Sequence, residues 1–170
     1  LLVLNEQLEE VPRDEIGEIW IHGASVIKGY WNNPKATAEG FTAGFWHSGD
    51  LGSVDAENFV RVFDRQKDMI NRGGLKIYSA EVESVLAGHP DVIESAIIAK
   101  PCPVLGERIH AVVVTRNVVG LEVLRAWCAE RLSDYKVPET MDVRMEPLPR
   151  NANGKVMKRQ LREAWAAAQA

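Results

Sequence analysis

Three places in this chain of 170 residues combine side-chain types and spacings that chemistry can use. The first is Trp46-His47-Ser48-Gly49-Asp50-Leu51, where a strand is expected to end at a tight turn and leave the Asp50 carboxylate exposed. A carboxylate at a strand end can accept two hydrogen bonds from a vicinal diol, as acidic residues do with nucleotide ribose. An ordinary turn aspartate, bonded to its own backbone, has the same local sequence. Arg65, fifteen residues on, is a donor that can share that sugar or a phosphate; its plainer role is a surface ion pair with Asp64 or Asp68, which contributes little. The second place is Pro149-Arg150-Asn151-Ala152-Asn153-Gly154-Lys155. It reads as a proline- and glycine-bounded loop whose adjustable backbone carries one lysine at its tip, able to meet charge developing on a phosphate and a carboxylate. A solvated surface lysine is the alternative. The third is Asp64-Arg65-Gln66-Lys67-Asp68-Met69-Ile70-Asn71-Arg72-Gly73-Gly74, five charges and a glycine pair in eleven residues.

The elements that must position these residues differ on either side of that third run. Upstream the chain is β-rich: Ile16 to His22 and Ser25 to Tyr30 read as adjacent strands. Asn33-Pro34 marks a helix start running to about Phe41. Gly44 to Gly49 and Gly52 to Phe63 follow as short strands around an Asp55–Asn58 turn. Downstream, Leu75 to Tyr78 is a short strand and Ser79 is a helix cap, with Glu81 and Glu83 suited to the positive end of the helix dipole. Val82, Val85 and Leu86 form that helix's apolar face, and Gly88-His89-Pro90 stops it. Val92 to Ala99 and Arg108 to Thr115 are β-branched strands. Leu121, Leu124, Cys128 and Leu132 repeat at helical spacing, Val143 to Met145 is a strand, and Met157, Leu161 and Trp165 mark a last helix. The expected class is α+β: a β-rich segment at residues 1–66, then a small domain at 67–170 with a central sheet and about three helices.

Charge supports that boundary. Residues 1–66 hold 5 Lys+Arg against 11 Asp+Glu, and residues 67–170 hold 15 against 13, so a net of −6 faces a net of +2. An apolar fraction of 46% suffices for a core. There is no run of 18 apolar residues and no secretion-signal pattern, so the sequence predicts a cytoplasmic protein without a membrane span. Cys102 and Cys128 lack metal-ligand spacing and are expected as free thiols, with no metal site. Mild acidity, with a pI of about 5.6, argues against nucleic acid as a partner. The sequence opens at Leu1 within a strand, as a piece of something longer would.

Together the motifs resemble the C-terminal third of the adenylate-forming superfamily, which includes acyl- and aryl-CoA synthetases, luciferases and the adenylation domains of peptide synthetases. Gly17-Glu18, Gly23, Gly29-Tyr30, Pro34, Thr37 and Phe41 resemble its glycine-tyrosine motif, and Trp46 to Asp50 its "W-x-(S/T)-G-D" motif. Asp64 to Glu83 resembles the hinge motif and Pro149 to Lys155 the "P-x4-G-K" motif. The matches come in family order over nearly the whole chain. Ser79 and Cys102 depart from the family's usual proline and aspartate. The family's phosphate-binding loop and acyl pocket have no counterpart here, which is why the sequence reads as a fragment.

The resemblance implies roles. Asp50 and Arg65 would hold the ATP ribose, Lys67 would be the hinge, and Gly73 and Gly74 would wall the pantetheine channel with Asn71 and Lys76 nearby. Lys155 would bridge the carboxylate substrate and the α-phosphate. ATP with magnesium, CoA and a small carboxylic acid would be substrates, with no tightly bound cofactor. The implied partners are the larger N-terminal domain of the same protein and a lysine acetyltransferase acting on Lys155. The activity implied is acyl-CoA synthesis. The wording of residues 67–74 fits this better than the alternative of an amino-acid adenylation domain loading a carrier protein. A third reading is a non-catalytic binding module.

Overall fold

Two sheets of five strands each divide the chain in this computed structural model, which describes residues 1–168. Internal packing separates them into Leu1–Lys67 and a second unit beginning at Asp68.

The first unit contains β1 (Leu2–Leu4), β2 (Gly17–Ile21), α1 (Pro34–Gly40), β3 (Phe41–Thr42), β4 (Phe45–Val54) and β5 (Val60–Arg65). β4 is the axis of its sheet, antiparallel to β2, β3 and β5. α1 starts where the sequence places it, because the Asn33 side chain accepts the Ala36 N–H at 3.0 Å and proline follows directly. Two expectations fail here. Ser25 to Tyr30 is not a strand: the Val26 N–H donates to the Gly23 carbonyl, and the Tyr30 N–H donates to Thr37 Oγ1 at 2.9 Å. These groups find partners in a turn and on α1, so no strand ladder forms. The break expected after Gly49 is also absent. β4 runs on to Val54 because β2 and β5 offer ladder partners on both edges, while a kink at Gly49 (φ 69°) and a register slip between Leu51 and Gly52 absorb the irregularity. The 55–58 turn forms as expected, with Asp55 Oδ1 accepting the Glu57 and Phe59 N–H groups.

The second unit contains β6 (Ile70–Arg72), β7 (Leu75–Ile77), α2 (Ser79–Ala87), β8 (Val92–Cys102), β9 (Gly106–Thr115), α3 (Leu121–Ala129), a 3-10 turn at Asp134–Lys136, β10 (Thr140–Arg144) and α4 (Lys158–Ala167). The sheet runs β10-β9-β6-β7 with β8 along the other edge of β9; β10 is parallel to β9 and the other pairs are antiparallel. The class is α+β, as expected. Period-2 alternation in β8 and β9 gives the sheet two apolar faces. Ile97, Ile109, Ala111 and Val113 meet Val82 and Leu86 of α2 and Leu124 and Cys128 of α3. Ala96, Ile98, Val112 and Val114 meet Leu148 and Leu161 of α4. Each fully buried aliphatic side chain contributes about 1.5–3 kcal/mol, so this unit rests on its own core.

The local expectations need three corrections. β6 lies within the charged junction, where neither length nor polarity signals a strand. Ser79 does not cap α2: it is fully buried inside the helix, and its hydroxyl accepts a bond from Lys158 Nζ at 2.7 Å. That lysine also pairs with Glu83 at 2.7 Å, so α4 is tied to α2 through groups the sequence suggested for dipole compensation. Leu132 lies beyond the end of α3, though it still packs on the core.

Candidate functional site

In the first unit the structure brings Asp50 and Arg65 together as cross-strand partners of β4 and β5. Arg65 Nε lies 2.7 Å from Asp50 Oδ1, and the side chains are 49% and 28% exposed. Asp50 therefore lies inside a strand rather than at a strand end. Ser48 fixes its backbone: Ser48 Oγ accepts the Asp50 N–H at 3.0 Å and donates to the Ile19 carbonyl at 2.6 Å. A carboxylate has about four acceptor positions, so pairing with Arg65 leaves capacity for a diol. The aromatic residues of the neighbouring motifs are structural: the Trp46 indole N–H donates to the Tyr30 hydroxyl at 3.0 Å.

Lys67 sits in the exposed turn 66–68 between β5 and β6. Beyond it, Asp68 pairs with Arg162 of α4 at 2.7 Å. Asn71, Gly73, Gly74 and Lys76 share one hairpin, β6–β7, whose two-residue turn is Gly73-Gly74. Their φ values of 60° and 90° are those of a type I′ turn, in which both central positions are left-handed. The turn by itself therefore favours the glycine pair. Asn71 Oδ1 accepts the Gly74 N–H at 2.9 Å, and the Gly73 N–H donates to the Leu105 carbonyl at 2.8 Å. Glu107 accepts the Asn71 N–H, and Glu139 accepts from Arg72 Nε at 3.0 Å. Behind the hairpin, the Leu105 and Val104 backbone and then Arg108 hold the Cys102 thiol below its ordinary pKa, whereas burial pushes Cys128 up to about 11.

Lys155 is exposed, on a short loop closed by an antiparallel bridge between Arg150 and Val156. Its ammonium makes no hydrogen bond or ion pair among the described residues. The backbone is not adjustable in the way the sequence suggested. Asn151 Oδ1 accepts the N–H groups of Asn153 and Lys155 at 3.0 and 2.9 Å, and Arg150 Nη1 donates to the Gly154 carbonyl at 2.6 Å. The Asn151 N–H closes the loop onto the Lys155 carbonyl. The loop entrance is fastened to β8, where Glu94 accepts the Leu148 N–H at 2.9 Å and pairs with Arg150. The glycine hairpin is fastened instead at Leu105 and Glu107, in the turn that follows β8 and opposite its far end. From Glu94 to Cys102 that strand extends about 26 Å at its usual rise. The lysine loop and the glycine hairpin thus hang from opposite ends of the β8–β9 ribbon.

Comparison with known proteins gives this arrangement a family. A family profile described as the AMP-binding enzyme C-terminal domain matches residues 81–155. Feruloyl-CoA synthase of an Amycolatopsis species is 45% identical over 160 residues, covering 92% of this chain and 32% of that protein. The chain belongs to the adenylate-forming enzyme family. A second relative in the family, a long-chain-fatty-acid–CoA ligase of Mycobacterium tuberculosis, is 41% identical over 152 residues, covering 89% of this chain and 30% of that protein. The o-succinylbenzoate CoA synthetase of Bacillus subtilis, solved with its acyl-adenylate intermediate, superposes with a TM-score of 0.88 at 38% identity over 95% of this chain and 33% of that one. ATP-bound MatB from Rhodopseudomonas palustris gives 0.86 at 35% identity, over 96% and 33%. The chain spans about a third of the length of the curated adenylate-forming relatives it matches.

Among the described residues no cluster of His, Cys, Asp or Glu could hold a metal ion, and no helix is long and apolar enough to cross a membrane. Sequence reasoning missed Glu94, Glu107 and Glu139. Glu107 and Glu139 reach partners 36 and 67 positions away, which no local pattern encodes. Asn151 had a signal, an asparagine three residues before a glycine in a short loop, which favours side-chain-to-backbone bonds.

Proposed function

We propose that the protein containing this chain is an ATP-dependent acid–thiol ligase making acyl-CoA. A carboxylate attacks the α-phosphorus of ATP, supplied as its magnesium complex, forming acyl-AMP and releasing pyrophosphate. The thiolate of CoA then attacks the acyl carbonyl and AMP leaves. In this reading Asp50 and Arg65 hold the ribose hydroxyls, and Lys155 neutralises charge between carboxylate and α-phosphate in the first step only. Gly73 and Gly74, with Asn71 and Lys76 alongside, line the path of the pantetheine arm in the second. Lys67 is the pivot, and the residues from Asp68 onward turn as one body against the first unit and a larger N-terminal domain of the same protein.

The observation that carries this reading is the placement of the two loops at opposite ends of one ribbon. A body built that way can present a lysine in one orientation and a glycine hairpin in another, which is the demand of a two-step reaction served by rotation. The partition of internal packing at Lys67 supports a pivot there. Relatives named as feruloyl-CoA synthase and a long-chain-fatty-acid–CoA ligase support CoA as the acceptor. The two unpaired thiols suit a cytoplasmic enzyme.

Lys155→Ala in the whole enzyme tests the division of labour. Losing one preorganised donor lowers catalysis about 10²- to 10³-fold. Adenylate formation, read as pyrophosphate release, is expected to fall by that factor while thioester formation from supplied acyl-AMP persists. Equal loss of both steps refutes the assignment. The exposed Lys155 ammonium is also the expected target of a protein acetyltransferase, giving an enzyme blocked in the first step; mass spectrometry finding Lys155 unmodified after such treatment counts against it.

A further inference from the structure

We propose that Arg150 is the positioning residue for Lys155 and that Glu94 holds it in that role. The inference rests on the adenylation reading of Lys155 and concerns what aims that side chain. The peptide group joining Gly154 to Lys155 is bonded at both polar atoms. Its carbonyl accepts from Arg150 Nη1 at 2.6 Å, and its N–H donates to Asn151 Oδ1 at 2.9 Å. With both ends held, this peptide plane cannot rotate, and it sets the direction in which the Lys155 side chain leaves the backbone.

Arg150 can grip the carbonyl because its other terminal nitrogen pairs with Glu94. The Glu94 side chain is only 17% exposed and rises from β8, which is paired with β9 along nearly its whole length. Its second carboxylate oxygen accepts the Leu148 N–H at 2.9 Å, so one carboxylate anchors both the loop entrance and the guanidinium. Exposed ion pairs usually contribute little. This one differs because the guanidinium bridges two acceptors with its rigid fork, and lysine, a single point donor, cannot reproduce that geometry. The charge is spent within the protein, so Arg150 acts through Lys155 rather than on the substrate.

The test uses the whole enzyme with three measurements: pyrophosphate release from acid and ATP, thioester formation from supplied acyl-AMP, and thermal unfolding. A hydrogen bond to a charged group corresponds to about 10- to 100-fold in rate. Arg150→Ala is expected to lower the kcat of adenylate formation by that factor, with KM for ATP little changed and thioester formation retained. Arg150→Lys should resemble Arg150→Ala. Glu94→Gln should fall in the same direction, and its combination with Arg150→Ala should add little, since the two act as a unit. Lys155→Ala serves as the reference. If it blocks adenylation while Arg150→Ala leaves it intact, the positioning role is overturned and the adenylation reading stands. A raised KM for ATP with unchanged kcat makes Arg150 a substrate contact and overturns the proposal. Equal loss of both half-reactions with a lowered unfolding temperature marks a merely structural role and also overturns it. A Lys155→Ala enzyme that adenylates normally overturns the adenylation reading itself, and the positioning role with it.

Discussion

Replacing Gly74 separates backbone strain from obstruction of the thiol path. A Cβ built at Gly74 meets nothing within 4 Å, so the folded domain has room for a methyl group. The cost of Gly74→Ala therefore comes from its φ of 90°, which L residues adopt at about 1–2 kcal/mol. For a unit of this size that lowers the unfolding temperature by about 4–8 °C per kcal/mol. Gly74→Asn should recover most of the loss, because asparagine tolerates left-handed backbone, yet it places a larger side chain on the same face. If pantetheine passes along that face, both variants form acyl-AMP at near wild-type rates but lose thioester formation by about 10²-fold, the usual effect of misplacing a reacting group by an ångström. The assays are pyrophosphate release for the first step and CoA consumption from supplied acyl-AMP for the second. Normal thioester formation by Gly74→Asn would refute the channel role and leave the glycine pair explained by its turn alone.

Two further outcomes are expected. Lys67→Pro fixes φ in the turn 66–68; multiple-turnover synthesis should collapse while one half-reaction, measured alone, stays near wild type, and equal survival of both would dismiss the pivot. His110 is buried, and desolvation, then Lys100 and Arg144, hold its pKa below 6.5 against the opposing pull of Asp142; its ring bonds Thr140 and lies near Trp165 of α4. The unfolded chain therefore binds a proton that the folded one resists, so this stabilisation is complete above about pH 6.5 and falls as pH drops below it. Denaturant midpoints for wild type and His110→Gln should diverge less at pH 5.5 than at pH 7.5; a constant difference would remove His110 as the source.

The sequence made the second unit's element order readable because β8, β9, α2 and α4 announce themselves through period: β-branched runs for the strands, recurring apolar residues for the helices. Asn33-Pro34 announced α1 through capping chemistry that is wholly local. What stayed hidden depends on partners far along the chain. Nothing near Gly49 shows that β2 and β5 carry β4 through it, and nothing near Ile70 shows that Gly106 of β9 pairs with β6 at Arg72. The candidate site residues were recognisable as motifs, but their supports were not. Lys155 is conspicuous between glycine and valine, whereas Glu94, which fastens its loop, looks like any strand glutamate. Ser79 misled because a serine before an acidic helical turn usually caps, and its burial beneath Lys158 is a tertiary fact.

The ribbon that carries the two loops has a consequence for timing. Its length is set by backbone geometry, which keeps the points from which the two loops hang about 26 Å apart. In an enzyme that uses both, whichever tool faces the nucleotide excludes the other. Under the proposed two-step reaction, such an interlock would keep thiol away until the mixed anhydride exists and would retire the ammonium once it does. The sequence of events is then enforced by a ruler rather than by relative affinities, and changes that tighten substrate binding would leave the order of events untouched.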